Sequence, residues 1–378
     1  MEKINLNNKS ILVTGHAGFI GSNLVHRLFN ELKEGTIVGI DNLNDYYDPR
    51  LKDYRLEMLD VKSKREDVKV NYISIKGSIA DKELIDNLFA EFKFDIVVNL
   101  AAQAGVRYSI ENPDVYIESN IIGFYNILEA CRHSYDQEIA GHPSTGSGTA
   151  RNEGYKGVQH LVYASSSSVY GGNKKVPFAV EDRVDNPVSL YAATKKSNEL
   201  MAHCYSKLYN IPSTGLRFFT VYGPAGRPDM AYFGFTNKLL RGEIIQIYNY
   251  GNCRRDFTYV DDIVEGIVRV MQGAPERKKG EDGLPIPPYA VYNIGGGQPE
   301  NLLDFVQILQ EELLRAGVLP QDYDFDAHKK LVPMQPGDVP TTYADATALE
   351  RDFGFTPKIT LREGLRKFAE WYKSYYRS

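Results

Sequence analysis

The sequence of 378 residues predicts a doubly wound α/β fold, in which helices cover both faces of a parallel sheet. Two observations support this prediction. Short, nearly continuous apolar runs recur along the first two-thirds of the chain, and such runs are typical of strands buried on both faces. Segments with helical periodicity separate them, as expected for strands joined by crossover helices.

The elements divide the chain into two parts. Strands are predicted at 11–15, 36–41, 70–75, 94–102, 160–166 and 213–223. Helices are predicted at 81–92, 121–134, 301–317 and 361–376. After about residue 222 the elements become shorter and Pro and Gly more frequent. We therefore predict a first domain at 1–222 and a smaller second domain at 223–378, with 255–272 returning to the first.

One segment interrupts this alternation. Residues 135–157 are rich in Gly, Ser and Thr and lie between a predicted helix and a predicted strand. Such composition indicates a surface loop. A lid or a partner site is the alternative.

Composition limits the functional classes. Hydrophobic residues make up 43% and charged residues 25%, which is typical of a globular protein and argues against disorder. The net charge of -5 gives no basic excess, so nucleic acid is not an expected partner. Cys131, Cys204 and Cys253 match no zinc spacing, so no metal is predicted. The polar start and the absence of long apolar runs predict neither a signal peptide nor a membrane partner, and hence a cytoplasmic location.

A glycine-rich turn follows the first predicted strand. Gly15, Gly18 and Gly21 are spaced GxxGxxG and lead directly into a helical segment. Glycines there allow a tight turn and close approach of a pyrophosphate, and the helix N-terminus attracts its negative charge. Strand two ends at Asp41, whose carboxylate can bind ribose hydroxyls and would repel a 2′-phosphate. Together these features predict an NAD site; the alternative is a structural turn and a capping aspartate.

Further cofactor contacts are predicted within this turn, at the ends of later strands and in the helices that follow them. They are His16, Phe19, Ile20, Asn42, Ser78, Ile79, Leu100, Ala101, Ala102, Gln103, Asn120 and Phe218. Each has a loop or packing residue without a cofactor role as its alternative.

A candidate catalytic pair opens a later helix. Tyr191 and Lys195 are four residues apart, so their side chains share one helix face. We expect the lysine ammonium, with the nicotinamide charge nearby, to lower the pKa of the phenol, which can then accept a hydroxyl proton. Ser166 ends the fifth predicted strand, where ligands bind in such sheets, and is predicted to hold the reacting oxygen against Tyr191.

These motifs together resemble the extended short-chain dehydrogenase/reductase family, with its Rossmann-type sheet. Longer segments are similar to UDP-glucuronate 4-epimerases over nearly the whole chain, the loop at 135–157 excepted. They are N-D-Y-Y-D-P (44–49), A-A-Q-A-G-V-R-Y-S (101–109), S-L-Y-A-A-T-K-K-S-N-E (189–199), R-F-F-T-V-Y-G-P (217–224), G-R-P-D-M (226–230) and R-D-F-T-Y-V-D-D (255–262). The resemblance implies an NAD-binding domain at 1–222, a UDP-sugar-binding domain at 223–378 and epimerisation through a 4-keto sugar, with Tyr191 as acid and base.

The residues after Ser166 favour an epimerase. Related dehydratases and decarboxylases usually carry an acid there, whereas this chain has Ser167 and Ser168. Without that extra group the simplest outcome is return of the hydride to the opposite face of the sugar. We hypothesise that the three serines and Thr220 hold the sugar carboxylate and so prevent decarboxylation, and that Arg227 pairs with this carboxylate or with the diphosphate.

The resemblance also implies contacts to the nucleotide half of the substrate. Tyr248 is expected to stack on uracil, Arg255 to bind the diphosphate and Asp338 to contact ribose, and Arg107 is a further predicted substrate residue. By the same resemblance, helices at 113–134 and 191–209 are expected to pair two subunits in a homodimer. Burial within one chain would explain their apolar faces equally well.

Other functions stay open on the sequence alone. A UDP-glucuronate decarboxylase would release carbon dioxide, and a UDP-hexose 4-epimerase would act on UDP-glucose. A redox-sensing NAD-binding protein without turnover is a third possibility. Retention of Tyr191, Lys195 and Ser166 argues against that sensor.

Overall fold

The computed structural model describes residues 1–135, 156–334 and 341–377. The predicted loop at 135–157 is therefore described only at its two ends. Asp338, predicted as a ribose contact, lies outside the described residues.

The described strands are numbered in chain order. They are β1 Glu2–Lys3, β2 Ser10–Thr14, β3 Gly35–Asp41, β4 Val70–Lys76, β5 Ile96–Asn99, β6 His160–Ser166, β7 Ser213–Phe218, β8 Thr220–Tyr222, β9 Ile245–Ile247, β10 Arg254–Tyr259, β11 Gly273–Ala274, β12 Lys278–Lys279, β13 Pro285–Ile286, β14 Tyr289–Ile294, β15 Pro299–Asn301, β16 Lys329–Leu331 and β17 Thr341–Thr342.

The described α-helices follow the same convention. They are α1 Phe19–Glu31, α2 Arg50–Ser63, α3 Lys82–Phe92, α4 Tyr108–Glu111, α5 Asp114–Tyr116, α6 Gly123–His133, α7 Leu190–Tyr209, α8 Ala231–Leu240, α9 Val260–Met271, α10 Leu302–Arg315, α11 Thr347–Phe353 and α12 Leu361–Arg377. A π-helical turn, Ile117–Ile122, joins α5 to α6, and short 3-10 turns follow β6 and β9.

Seven of the described strands form the central parallel sheet, in the order β4-β3-β2-β5-β6-β7-β14. Each of the six predicted strands contributes to this sheet, so the predicted doubly wound fold is confirmed. The direction in which successive strands are added reverses between β2 and β5. The chain places β3 and β4 on one side of β2 and then crosses back to place β5 on its other side. In open α/β sheets a ligand site lies at such a reversal, beyond the carboxyl ends of the strands.

The sheet also differs from the prediction at one edge. The predicted strand at 213–223 breaks at Phe219, so β7 stays in the central sheet while β8 pairs with β10 in another. The strand at the β7 edge is β14, which comes from the range 223–378 and was not predicted. Its pairing partner lies about 75 residues earlier in the chain, and no local sequence pattern reports such a contact.

Alternate residues of the sheet enter two cores, one on each face. Ile11 and Val13 of β2 pack with α1 and α9, whereas Leu12 between them packs with α3 and α6. This alternation with a period of two places apolar side chains on both faces. The near-continuous apolar runs of the sequence are explained by this double burial.

The later part of the chain builds a smaller assembly at the carboxyl end of the sheet. In the described residues, β8, β10, β15 and β17 form a separate sheet, and α10 packs against α12. Helix α9, within the range predicted to return to the first domain, lies against α1. The division at residue 222 stays a prediction.

None of the helices that the structure describes is both long enough and apolar enough to cross a membrane.

Candidate active site

The glycine-rich turn brings backbone groups to the floor of a cavity at the carboxyl end of β2. Gly15 has a φ of +71°, and a Cβ there would lie 2.9 Å from the Ala101 nitrogen. A Cβ at Gly21 would overlap the Gly15 carbonyl oxygen. Any side chain at either position would therefore push apart the turn, the start of α1 and the loop after β5.

Helix α1 begins against this cavity without a capping side chain. Its first residues, from Gly18 to Gly21, line the cavity wall. The N-terminal backbone N–H groups of a helix, together with its dipole, make such a start a favourable site for a phosphate group.

Asp41 lies at the end of β3 on the same cavity, but it has a partner that the sequence did not reveal. Its carboxylate accepts a hydrogen bond from the Leu43 nitrogen at 2.9 Å and lies 3.4 Å from the Lys52 ammonium. Lys52 also donates to the Asn44 side chain at 2.8 Å. Both members of this ion pair are less than a tenth exposed and both line the cavity.

Most of the predicted cofactor residues surround this one cavity. They are Gly15, Gly18, Phe19, Ile20, Gly21, Asp41, Asn42, Ser78, Ile79, Leu100, Ala101, Ala102, Gln103, Tyr191, Lys195 and Phe218. The structure thus brings together residues from nearly the whole first half of the chain. It also adds wall residues that were not predicted: Asn44, Tyr46, Tyr47, Lys52, Gly77, Ser119 and Met230.

Two predicted cofactor residues, His16 and Asn120, are buried away from the cavity wall. The His16 ring packs over Gly39 and its Nε2 lies 2.8 Å from the Ser74 hydroxyl. Asn120 exchanges hydrogen bonds with the backbone of Gln103, at 2.8 Å and 2.9 Å. In this geometry each side chain shapes the cavity through its neighbours, because its polar atoms point into the protein.

Tyr191 stands in the first turn of α7, which Ser189 caps by accepting from the Ala192 nitrogen at 3.1 Å. Ser166 ends β6 and lies on the same cavity wall as Tyr191. Burial raises the pKa of the Tyr191 phenol, while hydrogen bonding from Ser166 and the positive charge of Arg227 oppose that rise. Tyr191 is half-buried and lines the cavity, with a hydroxyl and a cation near its phenol, as suits an acid–base residue.

Lys195 lies one turn further along α7 and is also buried on the cavity. Its ammonium donates to the Ala164 carbonyl at 2.9 Å, and burial lowers its pKa to about 8. The predicted lowering of the Tyr191 pKa by Lys195 and the nicotinamide charge stays a prediction for the NAD-bound protein; in the protein alone, burial raises this pKa. Desolvation dominates there, and the groups that favour the phenolate are Ser166 and Arg227.

Arg227 also lines this cavity and belongs to a three-residue cluster with Asp229 and Tyr46. Its Nε and Nη2 atoms donate to the two carboxylate oxygens of Asp229 at 3.0 Å and 2.5 Å. The Tyr46 hydroxyl donates to the same carboxylate at 3.2 Å, and the guanidinium lies 5.9 Å from the Tyr46 ring centre. Burial, followed by the Asp229 charge, raises the pKa of Tyr46 to about 12.

A second arginine, Arg55, fixes the loop that carries this cluster. Its guanidinium is buried and donates to the carbonyls of Ala17, Ala225 and Gly226 at 2.7–3.1 Å. A Cβ at Gly226 would overlap the Tyr232 hydroxyl, so the loop also requires glycine. Arg55 therefore connects the substrate-side loop to the glycine-rich turn. Its contact with Ala225 joins two residues that are 170 positions apart in the sequence.

The other predicted carboxylate-binding residues flank the cavity. The 3-10 turn Ser167–Tyr170 follows β6, and the Ser166 hydroxyl accepts from the Ser168 nitrogen at 3.1 Å. Thr220 begins β8, paired with Phe257 of β10. Ser167, Ser168 and Thr220 are half-buried and are not among the residues that line the cavity.

The predicted nucleotide-side residues lie further out. The Arg107 guanidinium is 6.0 Å from the ring centre of Tyr248, so two residues 141 positions apart come together. Arg255 lies in β10 and donates to the Arg254 carbonyl at 3.0 Å. None of these three is among the residues that line the cavity.

Across the described residues, no group of three or more His, Cys, Asp and Glu side chains could hold a metal ion.

The fold and the cavity are those of a Rossmann-type dinucleotide-binding protein. The chain belongs to the NAD dependent epimerase/dehydratase family, whose sequence model matches residues 11–295.

Individual relatives match along almost the whole chain. It is 46% identical to protein CapI of Staphylococcus aureus, over 97% of this chain and 99% of that protein. It is 42% identical to UDP-glucuronate 4-epimerase 4 of Arabidopsis thaliana, over 98% of this chain and 76% of that protein. Among solved structures it is similar to UDP-glucuronic acid 4-epimerase from Bacillus cereus in complex with UDP-glucuronic acid and NAD. That match has 30% identity and a TM-score of 0.75 and covers 97% of this chain and 100% of the other.

Proposed function

We propose that the protein is an NAD-dependent epimerase that interconverts UDP-glucuronate and UDP-galacturonate by inverting C4 of the sugar. The observation that carries this proposal is one cavity that holds the glycine-rich turn, Tyr191 with Ser166, and a cation, Arg227. The likeness to 4-epimerases of UDP-glucuronate over nearly the full chain supports the choice of substrate.

The residues present fit NAD. Three glycines, at each of which a Cβ would clash with the backbone, leave room for a pyrophosphate at the start of α1, and Asp41 offers a carboxylate for ribose hydroxyls. Gln103, held by Asn120, and Lys195 lie further along the same cavity. When bound, NAD supplies reversible hydride acceptance at C4.

In this proposal Tyr191 moves the proton of the C4 hydroxyl. Its phenolate accepts that proton as C4 is oxidised. It returns the proton after the 4-keto sugar has rotated within the site, when C4 is reduced on the opposite face. Ser166 holds the reacting oxygen by hydrogen bonding. Lys195, whose pKa is lowered to about 8, would add positive charge near the phenol at neutral pH.

The carboxylate of the sugar distinguishes this substrate from a neutral hexose. We propose that Ser166, Ser167, Ser168 and Thr220 orient it and that Arg227 pairs with it. Holding the carboxylate out of alignment with the 4-keto group would slow loss of carbon dioxide. If Ser167→Ala and Thr220→Ala yield no more UDP-pentose than the unmodified protein, this assignment is wrong.

The nucleotide half of the substrate is assigned to the outer residues. The contact between Arg107 and Tyr248 supports a binding surface there, with Tyr248 stacking on uracil. Arg255 would bind the diphosphate, and Asp338 remains the proposed ribose contact.

The test of the proposed function is proton NMR of the purified protein with UDP-glucuronate and no added NAD. We expect UDP-galacturonate to accumulate to an equilibrium mixture, because the cofactor is regenerated in each turnover and stays bound. UDP-pentose would indicate a decarboxylase instead. Conversion of UDP-glucose but not of UDP-glucuronate would indicate a hexose epimerase.

We also propose a homodimer built on α6 and α7. These helices pack side by side, and both expose large apolar side chains. The exposed apolar side chains are Ile117 and Ile122 in the turn before α6, Tyr125 on α6, and Leu200 and Leu208 on α7. Light scattering coupled to gel filtration tests this, and Leu200→Glu should convert a dimer to a monomer.

A cytoplasmic location and a product that serves polysaccharide biosynthesis complete the proposal. Cys131, Cys204 and Cys253 are all free thiols, which is typical of a reducing compartment and supports this location.

A further inference from the structure

The Arg227 cluster has a feature that the proposed reaction does not use. A substrate carboxylate would need the Arg227 guanidinium, yet that group already carries a bidentate carboxylate, Asp229. Asp229 itself is held by the Tyr46 hydroxyl at 3.2 Å. An acidic sugar therefore meets a cation whose charge the protein has already neutralised.

The geometry allows this pair to open. The side chains of Arg227 and Asp229 are 25% and 34% exposed, so water can replace either partner. Asp229 accepts from the Nε and Nη2 atoms of Arg227, and the Tyr46 hydroxyl lies beside this pair. Arg227 lines the cavity beside Tyr191, and its loop is held from below by Arg55. The guanidinium can thus change its partner while its backbone stays in place.

We propose that Asp229 is a specificity-determining positioning residue that occupies Arg227 in the free site and gives it up to the carboxylate of an acidic sugar. This inference rests on the proposed function, because it takes UDP-glucuronate as the ligand. Tyr46 stabilises Asp229 in both arrangements by donating to its carboxylate. A neutral hexose leaves the Arg227–Asp229 pair closed and draws no binding energy from it, whereas an acidic sugar must displace Asp229.

The test compares two ligands that differ only at C6, UDP-glucuronate and UDP-glucose. Dissociation constants are measured by titration calorimetry on the NAD-loaded protein, in a Tyr191→Phe background to prevent turnover. For Asp229→Asn we expect UDP-glucuronate to bind about fivefold more tightly, the size of a part-exposed ion pair that no longer needs to open. Binding of UDP-glucose should change less than about twofold.

Two further variants show whether Asp229 acts through Arg227. In an Arg227→Met background, Asp229→Asn should no longer alter the ratio of the two dissociation constants. The matched control is Asp48→Asn, because Asp48 also pairs with an arginine two residues away, is 33% exposed and lies outside the cavity wall. That control should leave both constants unchanged.

The outcomes are distinct. Equal changes for both ligands, weaker binding of UDP-glucuronate, or an unchanged effect in the Arg227→Met background would each overturn the inference. If Asp229→Asn unfolds, Asp229→Ser removes the same charge and must give the same selective tightening. Failure of the proposed function looks different: the unmodified protein would neither bind nor convert UDP-glucuronate.

Discussion

Two clusters in this protein each combine an arginine, a carboxylate and a tyrosine, and they differ in what surrounds them. Arg217 pairs with Glu199 at 2.8 Å and 2.9 Å and donates to the Tyr170 hydroxyl at 2.9 Å. The second cluster is that of Arg227, Asp229 and Tyr46. The side chains of the first ion pair are 4% and 3% exposed, whereas those of the second are 25% and 34% exposed.

The buried cluster is closed on every side. Glu199 also accepts from the Ser165 hydroxyl at 2.7 Å, and Tyr170 donates to Asn293 at 2.7 Å. Asn293 in turn donates to the backbone carbonyl of Phe178. This network joins α7, β6, β7 and β14 directly beneath the serine turn. Its groups have no access to water, so opening the pair would leave a desolvated charge.

The comparison teaches that residue type does not decide whether an arginine–carboxylate pair is structural or functional. A buried pair stays closed, because separating the two partners would leave a desolvated charge on each. A pair on a cavity wall can open at small cost, because water or a ligand takes the vacated place. Four predictions test this distinction, beginning with the largest expected effect.

Replacing Glu199 by Gln should lower the free energy of unfolding by about 3–5 kcal/mol, because Arg217 then remains charged and buried without a counter-ion. Asp229→Asn, the matched change in the more exposed pair, should lower it by less than about 1 kcal/mol. Urea unfolding followed by circular dichroism measures both. Equal losses of unfolding free energy in the two variants would contradict the distinction between the buried pair and the exposed pair.

Acid should weaken the buried region through His160, at the start of β6. Its Nε2 lies 2.8 Å from the Thr214 hydroxyl, and burial lowers its pKa to about 4. Between these two pKa values, the histidine of the unfolded chain, with a pKa near 6.5, is protonated, whereas His160 of the folded protein stays neutral. The free energy of unfolding should fall by about 3 kcal/mol as the pH drops from about 6.5 to about 4.

His160→Gln should flatten that part of the stability curve. It will not abolish the slope, because burial also lowers the pKa of His16. His203→Gln, an exposed change on α7, serves as the control and should leave the slope intact. An unaltered slope in His160→Gln would contradict the assignment.

Removing the two tyrosine hydroxyls should separate the clusters by a smaller amount. Tyr170→Phe leaves a buried donor on Arg217 and a buried acceptor on Asn293 unpaired, at a cost of about 2 kcal/mol in unfolding free energy. Tyr46→Phe removes one hydrogen bond to a carboxylate that water can reach, so its cost should be below about 1 kcal/mol. Thermal unfolding of the two variants side by side measures the difference, and a larger loss for Tyr46→Phe would reverse the comparison.

The Asp41–Lys52 pair combines a feature of each cluster, because it is buried like the first and lines the cavity like Arg227. Asp41→Asn removes the charge that disfavours a 2′-phosphate and leaves the Lys52 ammonium to attract one. We expect the preference for NAD over NADP to fall about tenfold, or about 1.4 kcal/mol. Calorimetry on cofactor-stripped protein measures both dissociation constants. The increase in affinity for NADP should disappear in the double variant Asp41→Asn, Lys52→Met. If the increase persists in the double variant, the Lys52 ammonium does not cause it.

Local patterns were enough to predict six of the seven described strands of the central sheet and most of one wall of the cavity. Gly15, Asp41, Ser166 and Tyr191 were found because each stands at a fixed offset from a strand or helix end. In a parallel sheet those ends meet at one edge, so strand order in the sequence already brings the residues together. The period of two in the apolar runs and the period of 3.6 in the helices carry this information.

The partners of these residues could not be found in the same way. Tyr46 meets Asp229 across 183 residues and Arg55 meets Ala225 across 170, and neither contact has a local signature. Lys52 reaches Asp41 only because α2 folds back over the end of β3. The pKa of Tyr191 in the protein alone likewise depends on how deeply the folded chain desolvates the phenol.

The sequence by itself therefore determined the fold class, the family resemblance and the side chains that can perform the chemistry. Only the tertiary structure decided which charges neutralise one another, which pairs are sealed and which face the cavity. The physical reason is that secondary structure follows from periodic, short-range preferences, whereas burial and electrostatic pairing depend on contacts between segments far apart in the chain.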